Sequence, residues 1–101
     1  MAERVNEKKM RKELIRIYQR FLDESSREEA IDEAIAYDRR YGGLATEHYE
    51  RYISRDIFDA IGSLSTIYQY GLHDDSHEAF SNEKIISTAK KIIEELRKNE
   101  K

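Results

Sequence analysis

Between residues 3 and 23 the apolar positions Met10, Leu14, Ile17 and Phe21, with Ile15, Tyr18 and Leu22 beside them, recur at intervals of three and four. That spacing gathers them on one side of an α-helix and leaves Lys8, Lys9, Arg11, Lys12, Arg16 and Arg20 on a basic opposite side. The run breaks at Asp23-Glu24-Ser25-Ser26. Ser26 stands three residues before Glu29, the capping-box arrangement in which each side chain satisfies a free backbone N–H of the other. A second helix is therefore expected from Arg27 to Tyr41, with Ala30, Ile31, Ala34, Ile35, Tyr37 and Tyr41 on its apolar side. Gly42-Gly43 is expected to close it, because glycine takes the left-handed conformation at little steric cost.

Thr46 is the expected cap of a third helix. Its stripe reads Tyr49, Ile53, Ile57, Ala60, Ile61, Leu64, Ile67 and Tyr68 and runs to a stop at Gly71. Gly62 and two serines within it lower helix propensity, so a kink or a close helix contact is expected there. Ser81 caps the fourth helix, and Phe80 before the cap is placed to pack on Ile85 as a hydrophobic staple. Ile85, Ile86, Ala89, Ile92, Ile93 and Leu96 follow as a regular stripe, ending among lysines that suit the negative end of the helix dipole. Four amphipathic helices with short connections predict an all-α fold: one domain over residues 1–101, arranged as an antiparallel four-helix bundle. The wide stripes of the third and fourth helices are expected to leave apolar surface for a partner or a second copy.

Composition narrows the picture. Proline is absent and glycine occurs four times, which favours long helices over turns and edge strands. Without cysteine there is no disulfide, thiolate metal site or cysteine nucleophile. The opening residues carry charge but no apolar core of a signal peptide, and no run nears the about 18 apolar residues of a membrane span, so a cytoplasmic protein is expected. Charge is segregated. Residues 1–22 carry seven Lys/Arg against three acids, residues 23–83 five against fifteen, and residues 84–101 six against three. Basic ends around an acidic middle suit helices that pair within a bundle.

Chemistry is concentrated in few places. Residues 70–84 hold His73, Asp74, Asp75, His77, Glu78 and Glu83, a set that could ligate a metal. Asp75 with Glu78 also has capping-box spacing, and the stretch reads as a polar connection between helices rather than a metal site; no cofactor is expected. Seven tyrosines in 101 residues are the more unusual feature. Tyrosine packs its ring at a bundle rim with the hydroxyl outward, and the same property makes it an interface anchor. Tyr49, Tyr52, Tyr68 and Tyr70, together with Lys12 and Arg16 of the first helix, form the expected partner-binding surface.

Two family resemblances follow from quoted stretches. "EEAID" at 28–32 and "DIFD" at 56–59 place acid pairs at helical spacing. They resemble the paired acidic motifs of MazG-type all-α nucleoside triphosphate pyrophosphohydrolases, with aspartate at two places where those have glutamate. The resemblance implies Mg²⁺ held by Glu28, Glu29, Asp32, Asp56 and Asp59. A basic first helix, a Tyr-rich third helix and "FSNEK" opening an apolar fourth are similar to small bacteriocin immunity proteins. Phe80, Ser81 and Glu83 carry that likeness in motif. It implies a non-catalytic cytoplasmic four-helix bundle that acts on a membrane-receptor complex.

Nucleic acid is disfavoured as a partner. The turn in "RRYGGLATEHYERY" is followed by Glu47 and Glu50, which would face phosphate with the wrong charge. The expected function is thus that of a small regulatory or immunity-type protein binding a protein partner by a helix face, homodimerisation being a further expectation. The pyrophosphohydrolase is the alternative.

Overall fold

Asn6 sets the start of the first helix: its side chain accepts a hydrogen bond from the Lys9 N–H at 3.1 Å, so the helix opens at Glu7 rather than near residue 3. The computed structural model describes residues 6–44, 53–71 and 81–100. Among these the regular elements are all helical: α1 (Glu7–Leu22), α2 (Arg27–Tyr41), α3 (Arg55–Gly62), α4 (Leu64–Ile67) and α5 (Asn82–Asn99). Only Ser63 separates α3 from α4, so the body consists of four helical segments. Thr46, Tyr49, Tyr52, Glu47, Glu50, the cluster from His73 to Glu78, and Phe80 lie outside the described residues.

α1 is the centre of the packing. α2 and α5 lie along it, α3 meets it near its start, α4 packs on α2, and α3 packs on α5. Its predicted stripe is the buried one: Met10, Leu14, Ile17, Tyr18 and Phe21 all enter the core. The third stripe is also buried from Ile53 through Ile57, Ala60, Ile61 and Leu64 to Ile67, although the helix breaks at Ser63, beside the expected kink. That helix starts later than Thr46 implies. Ser54 is its N-cap residue, and the capping carboxylate comes from α1. Glu7 accepts from Ser54 Oγ at 2.6 Å and from the Ser54 N–H at 3.2 Å.

Two local expectations are corrected. Ser26 precedes α2 without a capping box, because its Oγ donates instead to the Arg20 carbonyl at 2.9 Å. Arg27 Nε donates to the Phe21 carbonyl at 2.8 Å. Both side chains thus serve the carbonyls orphaned where α1 ends, and Glu29 is left to pair with Arg20. Gly42 does not close α2 in the left-handed region; its φ is −58° and a further tight turn, Gly42–Leu44, continues the chain. What glycine supplies there is space, since a Cβ would sit 2.7 Å from Asp38 Oδ1. Gly71 is left-handed, with φ 77°, but the helix ends before it, at Ile67, and a turn carries the chain from Tyr68 to Gly71.

Ser81 caps α5 as predicted, accepting from the Lys84 N–H at 3.2 Å. The apolar stripes of α3 and α5 are spent on the core, leaving Phe58 and Ile86 partly buried at its edge. The spare apolar surface lies on α2 instead. Ala30, Ala34 and Tyr37 are buried, but Ile31 and Tyr41 reach only the rim of the core and Ile35 packs on none of it.

Candidate binding surface

Successive residues of a helix step round its axis by about 100°. Ile31 and Ile35 each lie one such step beyond the buried Ala30 and Ala34, so they project from one flank of α2. The chain following α4 runs beside that flank. Tyr68 donates its hydroxyl to the Ala34 carbonyl at 3.0 Å. Tyr70 stands edge-on to Phe21, ring centroids 5.4 Å apart, and its hydroxyl accepts from Arg27 at 2.7 Å. The Arg27 guanidinium also lies 4.6 Å from the centre of the Tyr70 ring, close enough for cation–π attraction. A groove of about 530 Å³ remains, lined by Ile31, Ile35, Asp38, Arg39, Tyr68 and Tyr70. Ile31, Ile35, Tyr68 and Tyr70 are half-exposed in it, and both tyrosine hydroxyls are already hydrogen-bonded within the fold.

Asp38 lines this groove and affects two phenols. Burial, and then hydrogen bonding and charge from Asp38, push the Tyr68 hydroxyl well above the usual phenol range. Tyr18 is more deeply buried and donates to the Ala60 carbonyl at 2.5 Å; burial and the nearby Tyr68 and Asp38 raise it likewise. Both groups hold their protons at neutral pH and act as donors. Neither is poised as a base or a nucleophile.

The four described residues of the expected partner-binding set do not share one surface. Arg16 pairs with Glu33 at 3.3 Å on the flank of α2 that faces α1. Asp38, five residues on, is turned about 140° from Glu33 and marks the opposite flank, where Tyr68 and Tyr70 lie. Lys12 is exposed on α1. α2 therefore stands between the basic positions and the two described tyrosines. The basic side of α1 is also smaller than expected, since Arg11 turns inward and Arg20 bridges Glu29 and Glu33.

The five acids of the Mg²⁺ reading are likewise divided. Glu28 and Asp32 are exposed on α2, while Glu29 is held by Arg20. Asp56 is buried on α3 and takes both ends of the Arg11 guanidinium, at 2.8 and 3.2 Å. That hydrogen bond and the charge of Asp56 raise the Arg11 pKa above its ordinary value, against the opposing effect of burial. Asp59 pairs with Arg55 at 3.2 Å. Asp56 and Asp59 border a second groove, between α3 and α5, and α2 contributes nothing to its lining. Among the described residues no three His, Asp or Glu side chains gather as a metal-ligand set, and no helix is long and apolar enough to cross a membrane.

Sequence reasoning missed Ile31 and Ile35 as surface residues and Asp38 as a structural one. The signal for the isoleucines was present: the apolar positions of α2 cover an arc too wide for one core-facing stripe. Comparison with protein-family models, with curated proteins and with solved structures finds no match to this chain.

Proposed function

We propose that this chain is a non-catalytic cytoplasmic protein that binds a protein partner through the outer flank of α2 and the tyrosines beside it. The observation that carries this reading is the half-exposed set Ile31, Ile35, Tyr68 and Tyr70 around one groove. Tyr68 and Tyr70 are already ordered by hydrogen bonds and lose little freedom on binding, which suits them as anchors beside the two isoleucines. The helices form an antiparallel bundle in this proposal. Its support is the order of the α1–α2 ion pairs, in which Arg16 takes Glu33 and the later Arg20 reaches back to Glu29. An immunity-type role against a membrane-receptor complex is the specific regulatory form we favour.

The test is comparative capture from host extract with the wild-type chain and with Ile35→Asp, both checked for unchanged helicity. A protein retained by the first and lost with the second is the expected result; identical capture by both sinks the reading. Pyrophosphate release from nucleoside triphosphates with Mg²⁺, abolished by Asp59→Ala, would replace it with the enzyme.

A further inference from the structure

The outer flank of α2 has an order of charges that matches itself. Glu28 and Asp32 precede Ile35, and Arg39 follows it, along one line of the helix. Glu28, Asp32 and Arg39 are exposed, and none makes an ion pair with another described residue. This sets them apart from the opposite flank, where Glu29 and Glu33 are engaged by Arg16 and Arg20. A surface that runs acid, apolar, base is complementary to a copy of itself turned end for end. That is the requirement of a two-fold interface, in which the same patch serves on both sides.

We propose that this flank binds a second copy of the chain, α2 packing antiparallel on α2. With the two-fold axis between Ile35 and Ala36, Asp32 of each copy faces Arg39 of the other. The two pairs stand about 5 Å either side of the axis, from a helical rise of about 1.5 Å per residue. Ile35 of each copy meets Ile35 of the other beside the axis, on the margin of the seam where Ile31 and the groove lie. The groove lined by Tyr68 and Tyr70 runs along this seam and supplies its apolar margin. The proposal rests on reading the flank as a contact surface and names its occupant.

Sedimentation velocity on the purified full chain, over a concentration series, tests it. The expected wild-type result is a mass rising toward twice 12.0 kDa. Arg39→Glu places like charges together at two symmetric points, so it should weaken association at least about tenfold. Asp32→Arg should do the same alone, and the double variant Asp32→Arg/Arg39→Glu should restore association by exchanging the partners. Neither exposed side chain makes an ion pair with another described residue, so helicity and melting of the monomer serve as the control. A chain that stays monomeric up to about 1 mM overturns the proposal. A dimer indifferent to Arg39→Glu, or not restored by the double variant, overturns it too. A monomer whose captured protein is still lost on Ile35→Asp would remove the second copy and leave the contact surface standing.

Discussion

The contact between α1 and α3 and the outer flank of α2 use the same chemistry to opposite ends. In the first, Arg11 and Asp56 meet across two helices at 2.8 Å, with side chains 14% and 5% exposed. Glu7 lies beside them, 3.4 Å from Arg11, and caps Ser54. In the second, Asp32 and Arg39 sit seven residues apart on one helix, both exposed and without an ion pair to another described residue. An aspartate and an arginine are thus a structural lock in one place and an open contact in the other. What differs is the neighbour, because charge is committed where a second helix brings the opposite sign within reach and excludes water.

The comparison breaks most sharply on Asp56→Ala against Asp32→Ala. Removing Asp56 leaves the Arg11 guanidinium in a desolvated position with only Glu7 for company. A buried pair broken from one side costs about 3–5 kcal/mol, and the residual exposure of Arg11 puts this one near about 3 kcal/mol. Asp32→Ala, measured in dilute solution where copies stay apart, should change stability by no more than about 0.5 kcal/mol. Urea unfolding followed by circular dichroism compares them directly. Similar losses for both would mean that the two regions are not committed to different degrees.

How much of this was legible follows from the range of each interaction. The stripes of α1 and α5 and the Ser81 cap are set by residues within four places of one another, and they stand where the sequence puts them. Arg11 and Asp56 are 45 residues apart, and Glu7 caps Ser54 from 47 away. No spacing rule reaches that far. Arg11 therefore read as part of a basic face, and Asp56 as a Mg²⁺ ligand in the pyrophosphohydrolase alternative. The capping box at Ser26 failed for a related reason: the end of α1 folds back beside it and offers carbonyls that the sequence alone does not place there. Of the residues lining the groove, Tyr68 and Tyr70 were already expected at a rim from their amphipathic side chains. Ile31 and Ile35 were assigned to the core because three-and-four spacing leaves open which edge of a stripe a neighbour will cover.

Alkaline pH probes the committed side with a smaller effect. Tyr18, Tyr37 and Tyr68 are all raised, chiefly by burial, and the Tyr37 hydroxyl is buried with no hydrogen-bond partner among the described residues. The folded chain holds these phenols neutral while the unfolded chain releases their protons near the usual value of about 10. Their contribution is therefore full below about pH 10 and is lost as pH rises from there toward the raised folded values. Comparing the wild type with phenylalanine variants isolates the phenols. Tyr18→Phe removes the donor to Ala60, costing about 1–2 kcal/mol at neutral pH, and flattens the alkaline decline. Tyr37→Phe flattens it as well at a neutral-pH cost under about 0.5 kcal/mol, because no hydrogen bond is lost. A urea midpoint that falls equally in all three chains would remove the phenols as the cause.

Salt sharpens the comparison at its smallest scale. Arg20 joins α1 to α2 through Glu29 and Glu33, but its side chain is one-third exposed, at 33%, and Glu29 is 71% exposed. Such pairs contribute about 1 kcal/mol or less, so Arg20→Ala should destabilise by about 0.5–1 kcal/mol at low ionic strength. Raising salt to about 1 M shortens the screening length to about 3 Å, and that loss should then shrink toward zero. The loss in Asp56→Ala should persist, because the Arg11–Asp56 contact is shielded from mobile ions. If both losses fade together, the α1–α3 pair is solvated like the surface ones, and the contrast between the regions is one of geometry rather than burial. If only the first fades, exposure decides which charges hold this fold together and which are left to meet another surface.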